Sequence, residues 1–461
     1  MNLLQILKRI GGPQRTIRAG LVGAGEFGAS FVSQARRMKG FEAVVVCDRD
    51  QERARKSLGA AGYGDQDVIL CDSAAAAQKA IEQGKIALIL DSSLMMTLPI
   101  DVVVEATGDP EGAAATCLAA ITNGKHSVMV TKEAEIVVGS ILARKAAEHG
   151  VIHTPVDGDQ PSLLIGLIGW AQLLGLPIVS AGKASESDFV WDPVAHTVTA
   201  WGRTVAAPDY ATLFNPEGDL RVALPNRAAV PFERTTVPDL CEMGIVSNHT
   251  GLMPDCASLH APIARTVELP HLFRPATDGG LLAAAGRVDM FNCLRRPDEL
   301  SFAGGVFVIV EAPDSATGLL FKHKGIPTSP DGRYVLLHNP VHLLGAEAPL
   351  SALSAAGFGS TTGTDDVKPR IDLVAEAARD LEPGEVLTMG ARHVIGGLTH
   401  RLMPAQAIGP GKPLPYYLAD AMTVLRPVKK GAILTCADVS EREGSILFRL
   451  RREQDAAFGL G

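Results

Sequence analysis

Three things are scarce in this 461-residue chain: paired cysteines, basic runs and long apolar stretches. The seven cysteines (Cys47, Cys71, Cys117, Cys241, Cys256, Cys293, Cys436) are odd in number, scattered and without a C-x-x-C pair. That excludes a disulfide framework and fits reduced thiols, so a cytoplasmic location is expected. The net charge is −8, with no basic run beyond short pairs, which argues against a nucleic-acid surface. No apolar run is long enough to span a bilayer. The longest, Leu163 to Leu176, is interrupted by Gly, Trp and Gln and reads as a buried helix. Met1 to Ile10 has apolar residues at helical spacing with Lys8 and Arg9, but not the order of a signal peptide. It reads as a short helix packed on the body.

What the chain does have is a hydrophobic fraction of 46%, ordinary for a soluble globular protein, and length for two to four domains. Its organising stretch is Thr16 to Met38. An apolar strand, Ile17 to Val22, runs into Gly23, Gly25 and Gly28, a G-x-G-x-x-G, and then an amphipathic helix from about Phe27 to Met38. Gly23 turns the chain off the strand, Gly25 leaves room for a pyrophosphate, and Gly28 lets helix and strand pack closely. The helix N-terminus, with Glu26 and Phe27, offers N–H groups to phosphates. A second strand, Glu42 to Cys47, ends in Asp48, about twenty residues on, where a ribose diol is usually bound. Asp48 favours NAD, whereas the adjacent Arg49 could pair with a 2′-phosphate and admit NADP. Both cofactors stay open.

Strands and helices then alternate. Strands are expected at Val68–Cys71, Ile86–Leu90, Asp101–Glu105, His126–Val130 and Val151–Pro155. Helices are expected at Gln51–Gly59, Ser73–Gln83, Glu111–Asn123 and Ser140–His149. This is the pattern of a doubly wound parallel sheet, a Rossmann α/β domain over 1–155. Ala106, Thr107 and Gly108, after one strand, and Thr131, after another, lie at the sheet edge that faces a ligand. A helix from Pro161 to about Leu174 opens an α+β substrate domain over 156–370, low in aromatics and without repeats. Ser360 to Pro369 reads as a linker or mobile loop. A small β-rich domain, 371–461, follows, its last residues from Ala456 expected to fray.

Lys132 follows a strand at the ligand-facing edge. It could polarise a substrate carbonyl or take an alcohol proton, helped if a second cation such as Lys183 lowered its pKa. Asp159 is either a proton-relay partner or a helix cap. Glu133, Asp157 and Asp159 could hold a divalent metal, or serve only as caps and ion-pair partners. Cys241, His249, Asp255, Cys256, His260 and His271 have zinc-ligand chemistry but no finger spacing. His338, Asn339 and His342 either close the site or fix a turn. Candidate phosphate-binding cations are Lys183, Arg203, Arg227, Arg234, Arg265, Lys322 and Lys324.

GLVGAGEFG, DVVVEATG, GKHSVMVTKE and PVDGDQPS followed by SAGK resemble the homoserine dehydrogenase-like oxidoreductases. With GGVFVIVEAP, NPVHLLGAEAPLS and the tail, the chain is similar to the branch that has a C-terminal SAF-type domain and includes the type II 1-deoxy-D-xylulose-5-phosphate reductoisomerase-like proteins. The resemblance implies an NAD(P)-dependent oxidoreductase of a small polyol, hydroxy acid or their phosphate, with Lys132 and Lys183 in proton transfer and substrate binding. It implies two alternatives: a metal-dependent reductoisomerase, or a non-catalytic cofactor-binding sensor or assembly protein. Gln160 stands where the reductoisomerase-like members have Glu, which removes one charge. A homo-oligomer is expected, with neither nucleic acid nor membrane as partner.

Overall fold

The computed structural model describes Gln5 and residues 16–461. The helix expected at Met1–Ile10 otherwise lies outside the described residues.

The first domain is a parallel sheet in the order β3-β4-β2-β1-β5-β6-β7. Its strands are β1 (Ile17–Val22), β2 (Phe41–Cys47), β3 (Val68–Leu70), β4 (Ile86–Ile89), β5 (Val102–Glu105), β6 (His126–Met129) and β7 (His153–Pro155). Its helices are α1 (Glu26–Ala35), α2 (Gln51–Ala60), α3 (Ala74–Glu82), α4 (Pro110–Thr122) and α5 (Lys132–Glu148). Central strands such as Val102-Val-Val-Glu105 are buried on both faces, which is why they read as largely apolar runs. The sheet order reverses between β1 and β5, and that switch point opens a crevice at the strands' C-terminal ends.

One helix starts earlier than expected. α5 begins at Lys132, not Ser140. Thr131 occupies its N-cap position, but its hydroxyl bonds Glu105 Oε1 at 3.0 Å instead of capping the helix. The sequence does carry start signals there, Thr131 at the cap position and Glu133 and Glu135 in the first turn.

The second domain opens with α6 (Gln160–Leu173) and holds a nine-stranded mixed sheet. Its strands are β8 (Ile178–Ala184), β9 (Phe189–Asp192), β10 (Thr197–Ala200), β11 (Arg203–Ala206), the two-residue β12 (Met253–Pro254) and β13 (Ile263–Ala264), β14 (Arg287–Arg295), β15 (Val306–Glu311) and β16 (Tyr334–Asn339). α7 (Val237–Thr250) packs against α5 and α6 and is buried almost throughout. It begins with a capping box, Thr236 with Asp239, and Pro238 in its first turn. Farther on, α8 (Ala348–Leu353) returns to pack on α1, so its Ala348, Ala352 and Leu353 join the core of the first domain.

The C-terminal domain pairs β17 (Ile371–Ala377) antiparallel with β18 (Leu398–Pro404). Leu381 and Val428 meet in an isolated antiparallel bridge. The chain end is not frayed. Ser445 caps α9 (Ile446–Phe458), which Gly459 closes in the left-handed conformation. The fully buried Arg451 binds Asp372 at 2.6 and 2.7 Å and Asp455 at 2.7 Å. Gln454 bonds Val137 O and Ile141 N of α5, which ties the last helix to the first domain. The segment expected as a mobile loop is likewise held: Thr361 and Thr362 bond Thr154, and Thr364 bonds His249. Among the described residues, no helix is long and apolar enough to cross a membrane.

Candidate active site

The crevice at the switch point continues into a cleft between the three domains. Gly25, Ala106 and Thr107 line both parts, whose volumes are about 590 and 710 Å³.

The first part fits a dinucleotide. Gly23 has φ of 97°, and a Cβ there would lie 2.3 Å from Ala106 O. A Cβ on Gly28 would lie 2.3 Å from Gly23 O. These two glycines are demanded by packing. At Gly25 a Cβ would meet nothing within 4 Å, so the space over it is open. α1 starts there without a side-chain cap, leaving first-turn N–H groups for an anion. Glu26 and Phe27 line the adjoining cleft.

Asp48 ends β2 at this crevice, but its carboxylate is well occupied. It accepts from Ala24 N at 2.7 Å, Asp50 N at 2.8 Å and the Arg53 guanidinium at 2.6 and 3.2 Å. Burial opposes its charge, yet these donors hold it below the usual carboxylate range. Arg49 and Arg53 line the same wall. On the other side of the switch point, the fully buried Glu105 organises two strand ends. It accepts from Thr107 N and Oγ1, both at 2.7 Å, and from Thr131 Oγ1, which itself accepts from Gly108 N at 3.0 Å. Burial raises the Glu105 pKa.

In the second part, Lys132 sits on the first turn of α5 with its side chain 21% exposed to the cleft. Behind it runs an alternating array of charges. Lys132 binds Glu242 Oε1, Lys183 binds Glu242 Oε2, and Lys183 also lies 2.8 Å from Asp239 Oδ1. Lys183, Glu242 and Asp239 are fully buried. α7 brings the two acids together because Asp239 and Glu242, three apart, share a helix face. Asp159 caps α6 through Gln160 N at 2.9 Å and stands 4.0 Å from Lys132. It therefore caps the helix and lines the cleft at once.

This array corrects the expectation that Lys183 would lower the Lys132 pKa. Burial does favour the neutral amine, but Asp159, Glu242 and Glu133 outweigh it and push the Lys132 pKa well up. Lys183 is raised in the same way by Asp239 and Glu242. Glu242 stays depressed: burial opposes its charge, but it is held between two ammonium groups. Burial lifts Glu133 to about 7, against the pull of Lys132.

The three proposed metal ligands do not converge. Asp157 lines a separate cavity with His249 and Thr361, and burial together with Glu347 lifts its pKa to about 7. Asp159 and Glu133 face the cleft. Nor do the zinc-type residues gather: His260 bonds Asp289 at 2.6 Å, His249 bonds Thr364, and Cys241 donates to Lys132 O. Among the described residues, no three His, Cys, Asp or Glu side chains are placed to hold a metal. All seven cysteines are free. Of His338, Asn339 and His342, only His342 lines the cleft. None of the candidate phosphate-binding cations lines it either; Arg227 is buried against Glu268, and Arg265 pairs with Glu299.

Sequence reasoning missed Asp239, Glu242, Glu186, Glu233, Arg392 and His393. The first two had a legible signal, the Thr-x-x-Asp box that opens α7 with Glu three residues later. The others carried none.

A switch-point crevice with a bare helix N-terminus, opening onto a buried charge array, defines a dinucleotide-binding oxidoreductase. Two family models agree. Residues 23–155 match "Homoserine dehydrogenase, NAD binding domain", and residues 158–348 match "Oxidoreductase DRL, catalytic domain". Together the two matches support an NAD(P)-binding oxidoreductase with a nucleotide domain like that of homoserine dehydrogenases and a DRL-type catalytic domain. A curated relative, the 1-deoxy-D-xylulose 5-phosphate reductoisomerase of Chlorobium chlorochromatii, is 29% identical over 156 residues, 34% of this chain and 36% of that protein. The match thus spans about a third of the relative's length. A probable dehydrogenase from Thermotoga maritima shares 12% identity over 39% of this chain and 48% of its own, with a TM-score of 0.27. Apo scyllo-inositol dehydrogenase from Lactobacillus casei shares 14% over 37% and 46%, also at 0.27. These structural likenesses are partial.

Proposed function

We propose that this protein reduces the carbonyl of a small hydroxylated compound, or oxidises the matching alcohol, with Lys132 handling the proton on the reacting oxygen. The observation that carries this reading is the Lys132–Glu242–Lys183–Asp239 array, whose single cleft-facing member is an ammonium group. Gly23, Gly25 and Thr107 line the crevice that would hold a nicotinamide cofactor, which would supply or take the hydride when bound. Lys132, held protonated by the acids around it, donates a hydrogen bond to the substrate oxygen and then its proton. Glu242 fixes the Lys132 amine and stabilises its charge. Lys183 keeps Glu242 ionised, and Asp239 balances Lys183. Asp159 and Glu186 line the cleft as acceptors for substrate hydroxyls. Nothing in this scheme needs the lysine to be a free amine at neutral pH, which suits the reductive direction best.

The test is a screen of polyols, hydroxy acids and their phosphates, with NADH and NADPH for reduction and NAD and NADP for oxidation, following absorbance of the reduced ring. Cofactor-dependent turnover that Lys132→Ala abolishes is the expected result. Cofactor binding without exchange on any substrate would favour a sensor or assembly role instead.

A second reading, a metal-dependent reductoisomerase, has the matched Chlorobium relative in its favour. The described residues offer no three-ligand set of His, Cys, Asp or Glu for a metal. Turnover that EDTA abolishes and Mg²⁺ or Mn²⁺ restores would support that reading.

A further inference from the structure

The cleft is closed on one side by the C-terminal domain. Its loop from Gly390 to Val394 places Arg392 and His393 in the cleft wall. Both have left-handed backbones, with φ of 56° and 57°. Two such non-glycine residues in a row cost about 1–3 kcal/mol each and persist only where the surroundings impose them. Here they do. Gly390 N bonds Val394 O at 2.8 Å, Met389 N bonds Asp420 Oδ1 at 2.7 Å, and Ile395 N bonds the Tyr416 hydroxyl at 2.8 Å. The loop is thus pinned on both flanks while its tip reaches over the cleft.

The tip touches the other two domains. His393 Nδ1 stands 3.2 Å from Glu133 Oε1, and its ring would crowd any side chain at Gly108. The Arg392 guanidinium lies 5.6 Å over the Trp201 ring. Trp201 is itself fixed in the second domain by Ser187 Oγ on its backbone N–H and by Glu233 O on its indole N–H.

The charge balance of the cleft singles out Arg392. Glu26, Glu133, Asp159, Glu186 and Glu233 line it, against two Lys or Arg side chains. Of those two, Lys132 is bound by Glu242 and faces Asp159. Arg392 makes no hydrogen bond or salt bridge among the described residues, although its charge reaches the Glu233 carboxyl and opposes the upward pull of burial on that group. It is therefore a cation whose planar fork is held in place by an aromatic face with its N–H groups free of hydrogen bonds, the arrangement suited to bidentate capture of an oxyanion.

We propose that Arg392, carried by the C-terminal domain and steadied on Trp201, binds an anionic group of the substrate, a phosphate or carboxylate, and so completes the substrate site. This rests on the oxidoreductase reading above. It assigns the C-terminal domain to the active site and makes the substrate a hydroxylated carbonyl compound with one anionic end.

The test uses the full chain loaded with whichever of NAD or NADP binds. Inorganic phosphate, and separately acetate, are titrated at constant ionic strength while tryptophan fluorescence is followed; Trp201→Phe supplies the baseline for the other indoles. A saturable change with either anion in wild type is expected, with affinity weakened about tenfold or more in Arg392→Ala and less in Arg392→Lys. Cofactor affinity should not change in either variant. Response to phosphate alone points to a phosphorylated substrate, to acetate alone a hydroxy acid, and to both a site selective for neither. Absence of titration by both anions, or a wild-type curve from Arg392→Ala, would overturn the assignment. The titration is repeated without cofactor, so that a failure to bind cofactor counts against the oxidoreductase reading and not against Arg392.

Discussion

The two halves of the cleft are built by different means. The dinucleotide half is made of backbone: glycines that clear space, a helix N-terminus and strand ends, all within contiguous motifs. The substrate half is made of side chains that meet only after folding. Lys132 and Glu242 are 110 residues apart, and Arg392 comes from a third domain. Backbone sites leave short-range signatures in a sequence, whereas convergent side chains leave almost none.

If that contrast is right, changes in one half should spare the other. The largest effect is expected from Glu242→Gln. It leaves the buried Lys183 and the cleft-facing Lys132 without their shared carboxylate and should cost about 3–5 kcal/mol of stability in chemical denaturation. Surviving folded protein should still bind cofactor with wild-type affinity.

Next comes Gly25→Val. A Cβ there meets only open space, so stability should change by less than about 0.5 kcal/mol. Cofactor affinity in a fluorescence titration should fall about tenfold or more, because the side chain occupies the ligand's place. Gly28→Ala makes the opposite comparison. Its Cβ collides with Gly23 O, so the melting temperature should drop along with binding. Equal loss of stability in both variants would erase the distinction between a ligand-facing and a packing glycine.

The smallest effect is a pH dependence. Burial lowers the His400 pKa from 6.5 to about 4, against the opposing fields of Asp239 and Glu376. The unfolded chain takes up that proton near 6.5 and the folded chain only near 4. Stability is therefore lost as pH falls through this window, on the order of 1–2 kcal/mol for a partly shielded group. Glu135 acts lower. Burial opposes its charge, but His153 and His249 depress its pKa from 4.5 to about 2, so its contribution fades only below 4.5. Melting curves of wild type and His400→Phe between pH 7 and 4 should diverge by about that amount. Parallel curves would remove His400 as the cause.

Legibility in the sequence follows the same division. The parallel sheet, the glycine loop and the strand-end positions of Asp48 and Thr107 were readable because periodicity and turn chemistry are local. The start of α5 at Lys132 was also signalled, by Thr131 and the first-turn acids Glu133 and Glu135, although the Thr131 hydroxyl goes to Glu105 in the fold. α9 was not, being an amphipathic helix in a stretch that otherwise reads as short strands and turns. Both lysines are legible, but the direction of the net pKa shift is not: burial and Lys132 do lower the Lys183 pKa, and the neighbouring carboxylates outweigh them. Two cations read from sequence suggest mutual pKa depression, and only the fold reveals the carboxylate between them. For Arg392, spacing offered no hint, since its place over the cleft depends on how the C-terminal domain docks.

The central claim is that Lys132 handles the substrate proton while the glycine half holds the cofactor. The most direct test is to measure cofactor affinity and turnover together in Lys132→Ala, on a substrate found by the screen. Wild-type affinity with turnover reduced by about 10²–10⁴-fold is the expected result. Turnover near wild type would contradict the claim and move the proton chemistry elsewhere in the cleft.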